Sequence, residues 1–225
     1  MKKLKYNSLI VSCQALSNEP LHGAKIMAKM AKAAKIGGAS GIRANSPDDI
    51  KAIKQEVDLP IIGLWKKELP DYEVYITPTY QDVKDVLTAG ADYVAIDCTN
   101  RDRPESLNYI FNKIRDEFPN KGIIADISST NDLKTLQDLR PDYLSTTLSG
   151  YTKNTQDRKR PDIKLVKELN EITNIPLLAE GNYKNGKQAK KALKAGAYAV
   201  VIGAAITRPQ IITENIINEM EKDLS

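Results

Sequence analysis

Two apolar runs in the last third of the chain stop at residues that could do chemistry. They are Ile-Pro-Leu-Leu-Ala-Glu-Gly-Asn (175–182) and Ala-Tyr-Ala-Val-Val-Ile-Gly-Ala-Ala-Ile-Thr-Arg-Pro (197–209). The first ends in a carboxylate, Glu180, followed by Gly181 and Asn182. The second ends in Gly203 and Ala204, with a helix expected from about Arg208. Small residues at a strand-to-helix turn let backbone N–H groups approach an anion, and a helix N-terminus adds positive dipole. Two such turns side by side suit a phosphate. A third apolar run, Ile61–Lys66, ends in a lysine beside Trp65. A lysine in low dielectric favours its neutral form. A desolvated amine and a carboxylate are the groups that proton transfer needs.

The same pattern recurs along the chain. Apolar, strand-like runs cover Leu9–Gln14, Gly41–Arg43, Ile61–Lys66, Tyr93–Asp97, Ile123–Asp126, Tyr143–Thr147, Leu177–Glu180 and Ala199–Gly203. Their last residues are Gln14, Arg43, Lys66, Asp97, Asp126, Thr147, Glu180 and Gly203. Each polar residue, taken singly, could be a mere strand boundary, and Lys66 could be a solvated lysine opening a loop with Lys67. Together they describe one rim. Asp126 is placed to orient Lys66 or Glu180, while Asp97 is as readily a cap or an ion-pair partner within the rim. Arg43 has a guanidinium fork that suits an anion or an amide carbonyl. Gln14 can donate and accept toward a sugar or acetamido group, and Arg208 can clamp a phosphate. The single histidine, His22, reads as structural.

Helical periodicity over 22–36, 47–57, 80–89, 105–118, 130–139, 162–173, 185–195 and 208–222 alternates with the eight runs. Strands alternating with helices build a parallel sheet, and eight pairs in 225 residues argue for a closed (β/α)8 barrel. In such barrels the site lies at the C-terminal ends of the strands, with phosphate after strands 7 and 8. The stretch 67–79 is too long for a simple turn and reads as an insertion with a short extra strand. Two echoes support the closure. Leu87–Asp97 resembles Leu193–Gly203, and Asp58–Gly63 resembles Asn174–Ala179, four units apart in each case. Gly90 and Gly196 sit where helices need a left-handed end, and Ser46-Pro47-Asp48-Asp49 supplies a helix start.

Composition narrows the function. Hydrophobic residues at 41% and charged residues at 28% describe an ordinary globular mix, and one domain spanning 1–225 is expected. The net charge of +4 comes from scattered lysines, without the basic–aromatic interleaving that a nucleic-acid platform uses. No run approaches membrane-spanning length, and Met-Lys-Lys-Leu-Lys lacks a following signal-type core. Cys13 and Cys98 read as buried free thiols in a reducing cytoplasm. One histidine excludes a site of two or three His ligands, so no metal and no redox cofactor are expected.

The chain resembles the N-acetylmannosamine-6-phosphate 2-epimerases of bacterial sialic acid catabolism. The resemblance covers essentially the whole length. It rests on Leu9-Ile-Val-Ser-Cys-Gln-Ala-Leu16, Gly41-Ile-Arg-Ala-Asn45, Ile123-Ile-Ala-Asp-Ile127, Thr146-Thr-Leu-Ser-Gly-Tyr-Thr152, Ala179-Glu-Gly-Asn182 and Gly203-Ala-Ala-Ile-Thr-Arg-Pro209. Where the family often has His-Gly-Tyr-Thr, this chain has Ser149-Gly150-Tyr151-Thr152, so no histidine role carries over. The resemblance implies an isomerase of an amino sugar phosphate, with acid–base roles for Lys66 and Glu180 supported by Asp126. It also implies substrate contacts from Gln14, Arg43 and Arg208, and a homodimer; Thr147, from its place on the rim, is read as a further substrate contact, and the turns at Gly181, Asn182, Gly203 and Ala204 are read as the phosphate contacts. The helix Gln210–Asp223 carries a broad stripe of Ile211, Ile212, Ile216, Ile217 and Met220. That stripe suits either its own barrel or a partner. The residues alone leave room for another phosphate-barrel enzyme, such as a pentose-phosphate 3-epimerase or a lyase, or for a non-catalytic phosphosugar-binding barrel. The first would show metal-binding histidines, and the last would tolerate loss of Lys66 or Glu180.

Overall fold

In a computed structural model, which describes residues 1–222, eight parallel strands close into a barrel in chain order. They are β1 (Ser8–Cys13), β2 (Gly41–Asn45), β3 (Ile61–Leu64), β4 (Tyr93–Asp97), β5 (Gly122–Asp126), β6 (Tyr143–Ser145), β7 (Leu177–Ala179) and β8 (Ala199–Ile202). The helices are α1 (Ala24–Ile36), α2 (Pro47–Glu56), α3 (Tyr80–Thr88), α4 (Leu107–Glu117), α5 (Ile163–Ile172), α6 (Gly186–Lys194), α7 (Ala204–Thr207) and α8 (Pro209–Glu221).

Two apolar layers follow from the two-residue repeat of a strand. Val11, Ile42, Val94, Ile96, Ile123 and Ala125 face outward into the layer shared with the helices. Ile10, Ile62, Leu64, Tyr93, Ala95, Ile124, Leu178, Ala199 and Val201 fill the barrel interior. Counting on in steps of two from these interior residues leads to Ser12 and Gln14, Lys66, Asp97, Asp126, Glu180 and Gly203. The polar strand ends therefore share the inward parity, which is why they converge on one mouth. The ladder registers keep them level: Asp97 stands beside Asp126, and Asp126 beside Ser145.

The opposite end is shut. Tyr143 meets Tyr93 and Tyr198 edge-on, at ring separations of 5.7 and 5.3 Å, and the Tyr198 hydroxyl donates to the Leu4 carbonyl at 3.0 Å. Edge-to-face contact suits the aromatic quadrupole, so this end is a plug rather than a second opening.

Local signals explain most boundaries. The Ser46 hydroxyl accepts from Asp49 N at 3.3 Å, with Pro47 opening α2. Gly90 and Gly196 turn the chain out of α3 and α6 with φ of 112° and 106°, as the sequence requires. The insertion after β3 folds back as a narrow hairpin, bridged antiparallel at Lys66–Ile76 and Leu69–Tyr72 rather than as a full strand. Two expectations are corrected. The helix expected over 130–139 is a 3-10 turn, Thr130–Leu136. Asp132 there accepts from the Ser128, Ser129 and Asn100 backbone amides, and such side-chain bonds compete with a regular helix. The helix expected over 208–222 begins at Pro209, preceded by the one-turn α7. Asp223, which the sequence reading included in it, lies outside the described residues. No residue of α8 is buried, and Ile216, Ile217 and Met220 are exposed.

Candidate active site

The C-terminal ends of the strands open into a cavity of about 1210 Å³. At its floor lies a buried guanidinium. Arg43 donates through Nη1 and Nη2 to the two oxygens of Asp126, and its Nη1 also stands 3.2 Å from Glu180 Oε2. Thr147 lies between the carboxylates, with its Oγ1 at 2.9 Å from Asp126 and 3.1 Å from Glu180 Oε2. Ser145 completes the set, with its Oγ at 2.8 Å from Thr147 Oγ1 and 3.3 Å from Glu180 Oε2. All three contacts to the Glu180 carboxylate fall on Oε2. Its Oε1 accepts none of them, while Glu180 lines the cavity.

These distances sort the floor residues. Asp126 is fully buried and is not part of the cavity wall. Of the two groups it could orient, it is linked to Glu180, because Arg43 and Thr147 each contact both carboxylates; it forms no ion pair with Lys66 among the described residues. Arg43 is only 1% exposed yet reaches the cavity, and its Nε has no hydrogen-bond partner among the described residues. Asp97 takes the second role considered for it. It accepts from Thr99 Oγ1 at 2.6 Å, pairs with Arg101 at 2.6 Å and stays out of the cavity wall.

Lys66 follows β3, and its backbone N–H donates to Asn45 Oδ1 at 2.8 Å. Burial, and then the Arg43 charge, hold its amine below the ordinary lysine value, while Glu180 and Asp126 pull the other way. Lys67 also lines the cavity but has other partners: its ammonium covers the Trp65 ring at 3.6 Å and pairs with Asp82. Glu180 shifts oppositely. Burial raises it above the ordinary carboxylate range, Arg43 opposes this, and the Asp126 charge adds to it. Burial also opposes the charged form of Arg43, but Asp126 and Glu180 outweigh it and hold the guanidinium above its ordinary value. One cavity thus holds an amine biased toward neutrality, a carboxyl biased toward its acid and a permanent cation.

The small-residue end lies beside β7, β8 and α7. Gly181 and Asn182 both adopt positive φ, 109° and 60°, which turns the chain sharply after Glu180. A Cβ on Gly203 would come to 3.3 Å from Ser12 Cβ, so β8 approaches β1 closely at this end. Ala204 and Ala205 open α7 and line the cavity, where the first helical N–H groups have no acceptor within the helix. Arg208 lines the same end and pairs with Glu19 at 2.7 Å. Gln14 donates to Ser12 Oγ at 2.8 Å, but its buried Oε1 has no partner among the described residues. His22 has its Nδ1 at 3.2 Å from the Ala15 carbonyl and borders the cavity.

Sequence reading missed Ser145, Asn45 and Tyr75. Ser145 carries a detectable signal, a hydroxyl two residues before Thr147 and hence on the same face. Tyr75 does not: it reaches the cavity only because the insertion folds back. Its phenol is pushed up to about 12 by burial and by the charges of Asp97 and Asp126. No group of three or more His, Cys, Asp or Glu side chains is placed to hold a metal ion among the described residues.

Fold and site together define a (β/α)8-barrel enzyme equipped for acid–base chemistry. Residues 27–222 match the family model described as "Putative N-acetylmannosamine-6-phosphate epimerase". A relative from Listeria welshimeri named "Putative N-acetylmannosamine-6-phosphate 2-epimerase" is 50% identical, the match covering 99% of this chain and 95% of the relative. One of the same name from Caldanaerobacter subterraneus is 49% identical over 94% and 90%. The solved N-acetylmannosamine-6-phosphate 2-epimerase from Clostridium perfringens superposes with a TM-score of 0.92 at 42% identity, over 96% of this chain and 94% of that one. A thiamine phosphate pyrophosphorylase from Pyrococcus furiosus, at 18% identity and a TM-score of 0.61 over 89% and 87%, shares the fold alone. The chain belongs to the N-acetylmannosamine-6-phosphate 2-epimerase family of isomerases.

Removing one partner of a buried ion pair strands the other charge. Asp126→Ala is expected to lower the unfolding free energy by about 3 kcal/mol, the low end for such a loss because Glu180 still faces Arg43. Urea unfolding measures this; a change below about 1 kcal/mol, the surface-pair scale, would show that the pair does not hold the floor.

Proposed function

We propose that the chain inverts C2 of N-acetylmannosamine 6-phosphate to give N-acetylglucosamine 6-phosphate, without a metal, using Lys66 and Glu180 as its proton-transfer groups. The observation that carries this reading is that Lys66 and Glu180 line one cavity over the buried Arg43 charge, with Glu180 held through Oε2; the opposite directions of their titrations support it. The C2 proton of a 2-acetamido aldose is acidic only once C1 is an open aldehyde. The ring must open first, with one proton leaving O1 and another reaching the ring oxygen. A base then takes the C2 proton, and a proton returns to the opposite face. Lys66, held toward its free amine, is suited to take the proton. Glu180, held toward its acid and anchored through Oε2 alone, is suited to deliver one from Oε1. The Arg43 charge beneath them stabilises the enolate oxygen, a role elsewhere filled by metals.

The unpartnered Gln14 Oε1 and Arg43 Nε are buried polar atoms that a polar substrate would satisfy. An acetamido N–H fits the first. The turns at Gly181, Asn182, Gly203 and Ala204, with Arg208, receive the phosphate, and this grip supplies binding energy remote from C2. Thr147 fixes Glu180 from below. The buried free thiols of Cys13 and Cys98 support a reducing, cytoplasmic location. No helix among the described residues is long and apolar enough to cross a membrane. The uncovered apolar side of α8 supports a homodimer that buries this helix.

Lys66→Ala and Glu180→Ala should each lower turnover by about a hundredfold or more while keeping the fold. A coupled assay for N-acetylglucosamine 6-phosphate reads this, and near-normal turnover removes that residue's role. The pH profile gives a second reading. The Lys66 free amine gains population as pH rises through a titration lying below the usual lysine range, which sets the acid limb. The Glu180 acid is lost as pH rises through its elevated titration, which sets the alkaline limb. Each single variant should abolish its own limb.

Exhaustive chelation should leave activity unchanged; a loss restored by one added metal would overturn the metal-free reading. Light scattering at micromolar concentration should give twice the chain mass of 25.0 kDa, and a clean monomer would refute the dimer.

A further inference from the structure

We propose that Glu19, in the loop between β1 and α1, is the residue that positions Arg208 for the phosphate, and so helps set the preference for the phosphorylated sugar. The inference rests on the reading of Arg208 as a phosphate ligand. Arg208 occupies the junction between α7 and α8 with a non-helical backbone, φ −123° and ψ 85°. It lines the cavity from a short connection. An arginine so placed samples many rotamers, and ordering it on binding opposes affinity.

Glu19 removes that freedom. Its Oε1 accepts from Arg208 Nη2 at 2.7 Å and from the Leu16 backbone N–H at 3.1 Å, while its Oε2 accepts from Gln210 Nε2 at 3.2 Å. The Glu19 N–H in turn donates to the Leu16 carbonyl at 2.9 Å. The carboxylate is thus held from its own loop on one side and from the start of α8 on the other. Glu19 is not part of the cavity wall, whereas Arg208 is. With one Nη engaged behind it, the guanidinium keeps its remaining N–H groups for an anion in front. A planar fork fixed in orientation recognises phosphate better than a mobile one. A second tie, from Thr207 Oγ1 to the Ser12 carbonyl at 3.0 Å, holds the same junction to β1 and does not depend on Glu19. Removing the carboxylate should therefore loosen the arginine without dismantling the turn.

Steady-state kinetics of the full-length enzyme test this with Glu19→Ala, Glu19→Gln, Arg208→Ala and the Glu19→Ala/Arg208→Ala double variant. Glu19→Ala should raise KM for N-acetylmannosamine 6-phosphate about tenfold, the scale of one lost charge-assisted bond, with kcat held within about twofold. Glu19→Gln keeps an acceptor oxygen and should recover most of the loss. The constant for inhibition by inorganic phosphate should rise in parallel. In the Arg208→Ala background Glu19→Ala should add nothing. An unchanged KM in Glu19→Ala, a fall in kcat at constant KM, or additive losses in the double variant would overturn the role of Glu19. If Arg208→Ala itself leaves KM for the phosphorylated sugar unchanged, the phosphate reading of Arg208 fails, whatever Glu19→Ala does.

Discussion

A guanidinium inside a barrel cannot stand alone. Burying a charge costs several kcal/mol unless paired and hydrogen-bonded ions offset it. Arg43, only 1% exposed, meets this condition by spanning Asp126 and Glu180. Those carboxylates belong to β5 and to the end of β7, on strands that are not neighbours, so the pairing requires a closed barrel. Thr147 and Ser145 fill the gap between them from β6 and its end. The rest of the cavity floor depends on this contact. It sets which oxygen of Glu180 is anchored, and the Arg43 charge adds to the burial that holds the Lys66 amine below its ordinary value.

The same contact divides labour between two acidic residues of similar chemistry. Asp126 meets two guanidinium nitrogens and is sealed below the cavity; Glu180 shares one of them and keeps an edge in the cavity. Environment separates the two carboxylates: one is sealed by its partners and the other keeps an edge in the cavity, and burial and neighbouring charge are what push the titrations of such pairs apart. Lys66 and Lys67 divide in the same way. They are adjacent in sequence, yet one faces the barrel and the other covers Trp65 and pairs with Asp82. The direction of a side chain reverses at each residue of an extended chain, so one step changes the partners a lysine meets.

The two ends of the barrel do different work. Aromatic edges and Leu4 close the bottom, so interior packing is continuous below the floor. At the top, Gly203, Ala204 and Ala205 line the cavity with small residues, and the β3 insertion adds Tyr75 to the wall. Cohesion comes from below, which leaves the mouth to be shaped by polar groups that are costly to desolvate.

Much of this was legible in the residues themselves. Apolar runs ending in Gln14, Arg43, Lys66, Asp126 and Glu180 mark a barrel and its rim, because strand period and strand-end position together aim those side chains at one mouth. Gly90 and Gly196 mark helix ends, because a left-handed backbone favours glycine. Pairing was not legible. That Asp126 holds Arg43 rather than Lys66, that Asp97 belongs to Arg101, and that Arg208 leans on Glu19 are contacts between residues far apart in sequence or brought together by a turn. Side-chain type allows all of these pairings and several others. The 3-10 turn at Thr130–Leu136 escaped periodicity because Asp132 redirects the local backbone bonds, and α8 escaped because its apolar stripe has the same spacing whether covered or bare. Sequence determines which faces are apolar and which residues can ionise, since both are local properties. Only the closed barrel decides which charges meet and which are buried, since distance and dielectric exist only once the strands are side by side.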